Sequence, residues 1–459
     1  MTPPRPARPA GRAAPSAPAP SAPAPSAAPS GDLAADAAAL AALCADGERL
    51  LAALPAPADR DGAASRHAAR IHETCRDARH AFLDHHTETV YDLLTSRRTR
   101  RPRLAELART AAVRFPGLVP DRALLAEEAG RLQAHKEGRE IDQGIFFGAV
   151  LRSPRAGTHL IETMLRPAPG SAALLDGFRR TGTVDLPTVR LERRGPAAHL
   201  TFHNGHCLNA EDNRLIADLE TAVDLALLDD TVRVGVLRGG PVTHSRHAGR
   251  RVFSAGINLK DLHAGAISYV DFLLGRELGY VHKIARGLLT DSPGWRGPLV
   301  SKPWIAAVDA FAIGGGMQLL LVVDRVIAAE GALLGLPAAD EGIVPGLANL
   351  RLPRLTGART ARQIVLSGRR LTAGEPDAAL VCDETVPPEE VGAAVERAVG
   401  ELAAPAVAAN RRMLALAQEP LEAFRAHLAE FAVVQAARIH SPDVLAKVER
   451  RRSRTGSGT

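Results

Sequence analysis

Apolar residues recur at helical spacing along the first third of the chain and switch to strict alternation near Pro187, and that switch divides the protein. Leu33, Leu40, Leu43 and Leu50 mark one face of a helix that Asp32 can cap and Pro55 stops. The same spacing predicts a helix from Ala63 to Leu94, one from Asp121 through Leu124, Leu125 and Leu132, and one from Asp142 through Phe146, Phe147, Val150 and Leu151. Residues 31–182 therefore read as an all-helical domain. Past Pro187, Thr188-Val-Arg-Leu-Glu-Arg and His199-Leu-Thr-Phe-His alternate on either side of Gly195-Pro196, which predicts a hairpin. A helix from Asn209 or Ala210, a strand from Val232 to Leu237, a basic loop from Gly239 to Arg251 and a short strand at Val252 follow. A helix around Tyr269 to Leu289 then precedes strands Trp304 to Val308 and Arg325 to Ala329, and Gly357 to Ser441 reads as helix again. Strands alternating with helices predict an α/β core with parallel strands over 183–385, C-terminal helices over 386–448 and a disordered tail over 449–459.

Composition narrows what such a chain does. Its 459 residues carry a formal charge of only +6 and 16 aromatic side chains, so base-stacking platforms are absent and no nucleic-acid partner is expected. The arginine run from Arg97 to Arg103 reads as a solvated loop. Four scattered cysteines with no Cys-x-x-Cys pair exclude a disulfide scaffold and a zinc ribbon. The longest apolar run, Ile313 to Val323, is too short to cross a bilayer, so no membrane role is expected. Ten prolines in residues 1–30 forbid a transit helix and predict a disordered, partly polyproline-II tail, leaving the cytoplasm as the expected address.

Two glycine turns, each after an apolar strand, carry the candidate chemistry: Phe253-Ser-Ala-Gly-Ile-Asn and Phe311-Ala-Ile-Gly-Gly-Gly-Met-Gln. Glycine frees backbone N–H groups to face a ligand, and together the turns can form an oxyanion hole. The His203/His206 and His244/His247 pairs have ligand spacing, but they fall in strand ends or loops with no third ligand, so no metal is expected. The two turns in this order, with Lys302-Pro-Trp-Ile-Ala-Ala-Val-Asp, Val323-Asp-Arg-Val-Ile-Ala-Ala-Glu and Gly342-Ile-Val-Pro-Gly, resemble the crotonase (enoyl-CoA hydratase/isomerase) superfamily over about residues 187–385. The resemblance implies a spiral of ββα units, here preceded by the helical region and followed by C-terminal oligomerisation helices, in a homotrimer or dimer of trimers acting on acyl-CoA thioesters. It makes the N–H groups of Ile257 and Gly315 the thioester-oxygen donors, with Gly256, Gly314 and Gly316 among the residues that bind the CoA thioester. Hydratases carry one glutamate two residues past the glycine run and another before the Ile-Pro-Gly stretch; this chain has Gln318 and Ala338 there. Neither moves protons near neutral pH, so hydration is not expected.

Ala134-His-Lys-Glu-Gly-Arg-Glu-Ile-Asp-Gln-Gly-Ile-Phe-Phe, Leu208-Asn-Ala-Glu-Asp-Asn and Gly275-Arg-Glu-Leu-Gly-Tyr narrow the resemblance to the superfamily's cofactor-independent dioxygenases of dihydroxyphenylglycine (glycopeptide antibiotic) biosynthesis. That branch implies 3,5-dihydroxyphenylacetyl-CoA and O2 as substrates, 3,5-dihydroxyphenylglyoxylate and CoA as products, and neither metal nor flavin. It places Arg276, Glu211 and Gln318 around the aryl group. The loop residues His244, Arg246, His247, Arg250 and Arg251, with Lys260, become anchors for the CoA phosphates, and Ser254, Ala255 and Asn258 line the CoA path. Read without the resemblance, Arg276 pairs with nearby acids and Glu211 is a first-turn helix acid. A thioesterase or isomerase on the same hole, or a non-catalytic partner protein, remains open, and no residue is marked as the α-proton acceptor.

Overall fold

The alternation past Pro187 becomes a seven-stranded sheet whose strands lie side by side in chain order. Thr183–Asp185, Val189–Arg194 and Ala197–Phe202 are antiparallel, and Val234–Gly239, Trp304–Val308, Arg325–Ala329 and Glu384–Val386 continue in parallel. Both faces are covered, as a parallel sheet requires. Val234, Val236, Ile305, Ala307, Ile327 and Ala329 pack on helix Val391–Leu402, while the alternate residues Leu237, Ala306, Val308, Val326 and Ala328 join the main core. A smaller sheet of Phe311–Ile313, Leu333–Gly335 and Leu371–Thr372 stands apart, and Ser254 bridges to its Ala312.

The computed structural model describes residues 28–291 and 297–456. The tail expected over residues 1–30 lies outside them but for residues 28–30, as do residues 457–459. Residues 33–181 are helical, with Asp32, Asp61 and Asp121 each capping a helix N-terminus through the side chain. Three further helices there, Leu104–Arg114, Pro154–Met164 and Pro169–Thr181, escaped the sequence pattern. Helix Arg139–Arg152 lies against Leu421–Arg438 with no room for side chains at the crossing. A Cβ on Gly144 would stand 2.8 Å from the Ala432 carbonyl oxygen, and one on Gly148 2.6 Å from Val433. The helix Leu421–Arg438 thus spends Phe424, Leu428, Phe431 and Ala436 inside its own chain. Met413, Leu414 and Leu416 of helix Pro405–Gln418 remain exposed.

Several expectations change. The helix expected around 269–289 is broken into a wide π-helical turn, Tyr269–Leu274, and the short helices Gly275–Leu278 and Tyr280–Arg286, with Leu288–Leu289 pairing with Leu299–Val300. Gly275 and Gly279 are the soft points: Gly279 leaves the helical region at φ −91° and ψ −117°. The helix expected from Asn209 starts at Asn213 behind an Asp212 cap, because Leu208 and Asn209 take left-handed conformations. Val252 forms no strand of its own; its neighbours Arg251 and Ser254 make isolated bridges. Residues 371–372 and 384–386 interrupt the C-terminal helical stretch as strands. Residues 449–456, expected as disordered tail, continue helix Pro442–Gly456, since arginine and glutamate are strong helix formers and proline suits the first position. The arginine run is a turn in which Arg97, Arg100 and Arg101 are exposed, as expected, and its side chains also form ion pairs: Arg98 with Glu88 and Asp92, Arg100 with Glu106, Arg101 with Glu162 and Arg103 with Glu220. No helix among the described residues is long and apolar enough to cross a membrane.

Candidate active site

The small sheet brings the two glycine turns together. Ile313 donates its N–H to the Ser254 carbonyl at 2.9 Å, after which Gly256 (φ 84°) and Gly314 (φ 55°) turn both chains into one another. A Cβ on Gly256 would lie 3.0 Å from the Ile313 oxygen and 3.4 Å from the Gly315 nitrogen, so only glycine allows this approach. The Glu211 N–H donates to Gly256 O at 2.7 Å and the Asn258 N–H to Glu211 O at 2.8 Å, pinning the backbone on both sides of Ile257. Among the described residues no backbone carbonyl accepts from the N–H of Ile257 or of Gly315. Two unengaged donors on abutting rigid turns can hold an oxyanion.

They open on a pocket with about 510 Å³ of empty space, part of it open to solvent, walled by Phe272, Leu273, Leu336, Ile343, Val344 and Phe431. Its floor is one ion cluster. Arg276, 3% exposed, grips Glu211 with Nε and Nη2 at 3.0 Å each. Its Nη1 donates to Glu277 at 2.6 Å and to Gln318 Oε1 at 2.8 Å, and Nη2 also donates to Gly315 O at 2.8 Å. The Tyr280 hydroxyl donates to Glu211 at 3.1 Å. Burial alone would pull the guanidinium's pKa down, but the carboxylates of Glu211 and Glu277 outweigh it and hold the pKa well above the usual value. Burial likewise pushes the Tyr280 phenol well up, so it stays a donor.

Of the residues singled out from sequence, Glu211, Ile257, Arg276, Gly314, Gly315 and Gln318 all line this pocket, and so does Ala338. All five N–H groups of Arg276 already have partners inside the protein, so its expected bond to a phenol oxygen requires one of them to be given up. Glu277, 2% exposed, was missed; the signal was its place beside Arg276 in Gly275-Arg-Glu-Leu-Gly-Tyr.

Other expected contacts lie elsewhere. The Ser254 hydroxyl is buried and accepts the Gly256 N–H at 3.1 Å, and a Cβ on Gly316 would press on Ser254 at 2.9 Å. Ala255 donates its N–H to Leu208 O at 3.2 Å. Asn258 caps helix Leu259–His263 by accepting the Lys260 N–H at 3.1 Å. The side chains of Ser254 and Asn258 therefore brace the turn. His244, Arg246, Arg250 and Lys260 lie outside the pocket wall, Arg246, Arg250 and Lys260 exposed. His247 packs edge-on against Phe311 with ring centres 5.5 Å apart, which sets the cationic loop about 10 Å along the strand from Gly314. His203 Nε2 lies 3.0 Å from the Pro187 oxygen, and no group of three or more His, Cys, Asp or Glu among the described residues is arranged to hold a metal ion.

A family profile for enoyl-CoA hydratase/isomerase matches residues 293–438. The chain is 56% identical over 401 residues to a (3,5-dihydroxyphenyl)acetyl-CoA 1,2-dioxygenase of Amycolatopsis orientalis, covering 87% of this chain and 92% of that one. A probable enoyl-CoA hydratase of Rhizobium meliloti is 29% identical over 46% of this chain and 73% of its own length. Among solved structures, an enoyl-CoA hydratase of Mycobacterium avium subsp. paratuberculosis aligns with TM-score 0.48 and 22% identity over 58% of this chain and 99% of that one.

Proposed function

Because the chain belongs to the crotonase (enoyl-CoA hydratase/isomerase) superfamily, in the branch of the Amycolatopsis orientalis dioxygenase, we propose that it converts 3,5-dihydroxyphenylacetyl-CoA and O2 to 3,5-dihydroxyphenylglyoxylate and free CoA in dihydroxyphenylglycine biosynthesis. The observation that carries this reading is the pair of unengaged N–H groups, Ile257 and Gly315, opening on a pocket that has Gln318 and Ala338 where a hydratase needs carboxylates. The α-hydrogens between a thioester and an aryl ring are acidic. Two aligned donors lower the enolate further, each contributing about 2.7–4 kcal/mol.

The enolate passes one electron to O2, and the radical pair recombines to a peroxide at the α-carbon. The peroxide attacks the thioester carbonyl and expels CoA; the second α-hydrogen then leaves as a proton, its electron pair forms the ketone C=O as the O–O bond of the strained ring breaks, and both oxygen atoms enter the 2-oxo acid. Electrons balance between substrate and O2 with neither metal nor flavin. Arg276 neutralises the Glu211 carboxylate, whose Oε2 stands 2.0 Å from where a Gly315 Cβ would be and would otherwise repel an enolate at the hole. Gln318 orients the guanidinium and faces the aryl group. Arg246, Arg250 and Lys260 meet the CoA phosphates, helix Leu421–Arg438 closes one side of the pocket with Phe431 and Gln435, and the chain works in the cytoplasm as a homotrimer or dimer of trimers.

The test is O2 consumption and CoA release, with chelator present, on adding 3,5-dihydroxyphenylacetyl-CoA. One O2 consumed per CoA released, with the 2-oxo acid formed, supports the proposal. CoA release without O2 uptake would instead make the protein a thioesterase on the same hole.

A further inference from the structure

Three carboxylates line the pocket, Glu211, Glu277 and Glu341, and the dioxygenase reading leaves the α-proton without an acceptor. Glu211 is occupied. Both its oxygens take charge-assisted bonds from Arg276, and Oε1 accepts the Tyr280 hydroxyl as well, so accepting a proton would cost it several strong bonds. Glu341 stands half-buried at the end of the four-residue helix Ala338–Glu341. Glu277 differs from both. It is 2% exposed, Oε1 takes one bond from Arg276 at 2.6 Å, and Oε2 has only the Leu347 N–H at 3.4 Å, a long and weak contact.

Position and charge agree. Glu277 Oε1 and Gln318 Oε1 lie 2.3 and 2.6 Å from the point where a Cβ on Gly346 would stand. Glu277 therefore holds a carboxylate beside the position that Gln318 has taken from a hydratase glutamate. Arg276 with Glu211 and Glu277 makes a buried group of one positive and two negative charges. An enolate formed with both carboxylates ionised adds a second excess negative charge beside a cluster whose charged side chains are all buried. If the proton moves onto Glu277, the charge only shifts from carboxylate to enolate and the total is unchanged.

Resting on the dioxygenase reading, we propose that Glu277 takes the α-proton: the Cα–H bond breaks, its electron pair becomes the enolate held by Ile257 and Gly315, and the proton bonds to Glu277 Oε2. Arg276 remains the counter-ion of Glu211 throughout.

The experiment is anaerobic exchange of the α-hydrogens of 3,5-dihydroxyphenylacetyl-CoA in D2O, which reads proton removal without the oxygen steps. Wild type incorporates deuterium; Glu277→Gln slows exchange and aerobic turnover together by about 100-fold, with KM changed less than threefold. Exchange at the wild-type rate in folded Glu277→Gln overturns the assignment, as does loss of exchange in Glu341→Gln but not in Glu277→Gln. Where Glu277→Gln fails to fold, Glu277→Asp is read in its place: exchange slowed at least tenfold at unchanged KM supports the role, and an unchanged rate overturns it. Absence of both exchange and O2 uptake in wild type sinks the dioxygenase reading itself, and the assignment with it.

Discussion

Two buried ion clusters in this chain are built on opposite plans. In the helical region cations outnumber or match the acids. Asp142 meets Arg79 at 3.2 Å and Arg76 at 3.1 Å, Glu137 meets Arg60 at 2.6 Å and His72 at 3.0 Å, Glu140 meets Lys136 at 2.8 Å and His440, and Glu48 meets Arg139. At the pocket one cation serves two acids, and Arg276 has no N–H to spare. Where acids have cations in surplus, the cluster ties helices together and its loss is felt in stability. Where two acids share one cation beside the pocket, negative charge formed on a bound substrate adds to the excess the cluster already holds.

The comparison breaks most visibly at Arg276. Arg276→Leu leaves Glu211 and Glu277 buried without a cation, a loss of about 3–5 kcal/mol. A clear fall in melting temperature together with abolished O2 uptake is expected. Loss of activity with unchanged melting would mean the pocket carboxylates tolerate isolation and the contrast is wrong.

Next in size is acid. Burial pushes the Glu140 carboxyl up, but the hydrogen bond and charge of His440, with the charge of Lys136, outweigh burial and hold it at about 2, against the usual 4.5. A depressed folded-state value contributes stability above pH 4.5 that drains as pH falls toward 2, about 3 kcal/mol in all. Acid titration of the helical signal should show this loss between those limits together with that of Glu137, which His72 and Arg60 likewise hold at about 2 against its burial, and Glu140→Gln should flatten the slope by its own share. A slope unchanged by Glu140→Gln would place the acid sensitivity in the other pairs.

How much of this the sequence carried depends on range. Trp304–Val308 and Arg325–Ala329 fall where the apolar runs put them, because a strand buried on both faces announces itself. The turns at Gly256 and Gly314 were legible because glycine marks backbone that must turn or approach closely. The local bonds of Ser254 and Asn258 were not legible, since short polar side chains beside a turn bond their own backbone as readily as a ligand. For Glu277 the one signal, its place beside Arg276, was weak, because an acid after an arginine looks the same on a surface helix as in a core, and depth is set by distant segments such as Phe431 and the loop at Gly346. The packing of Leu421–Arg438 on Arg139–Arg152 joins distant residues, 274 positions apart for the Arg425 bond to Leu151 O, and no local pattern encodes it.

The smallest effect sharpens the comparison from its other side. Arg76 donates to Asp142 at 3.1 Å and to Gly138 O at 3.0 Å, and its side chain keeps some contact with water. Arg76→Ala therefore leaves Asp142 its buried partner Arg79, and Gly138 O at the start of helix Arg139–Arg152 loses a bond from a partly solvated group. A cost of about 1 kcal/mol is expected from the partial exposure, read as a shift in denaturant midpoint, with kcat for O2 uptake unchanged because no atom of Arg76 reaches the pocket. Were Arg76→Ala to cost as much as Arg276→Leu, the surplus of cations in the helical cluster would be only apparent, with Arg79 committed to Gly117 O at 2.7 Å rather than to Asp142. A small cost at unchanged kcat would instead establish that the two clusters differ in how many cations each acid can lose before it stands alone.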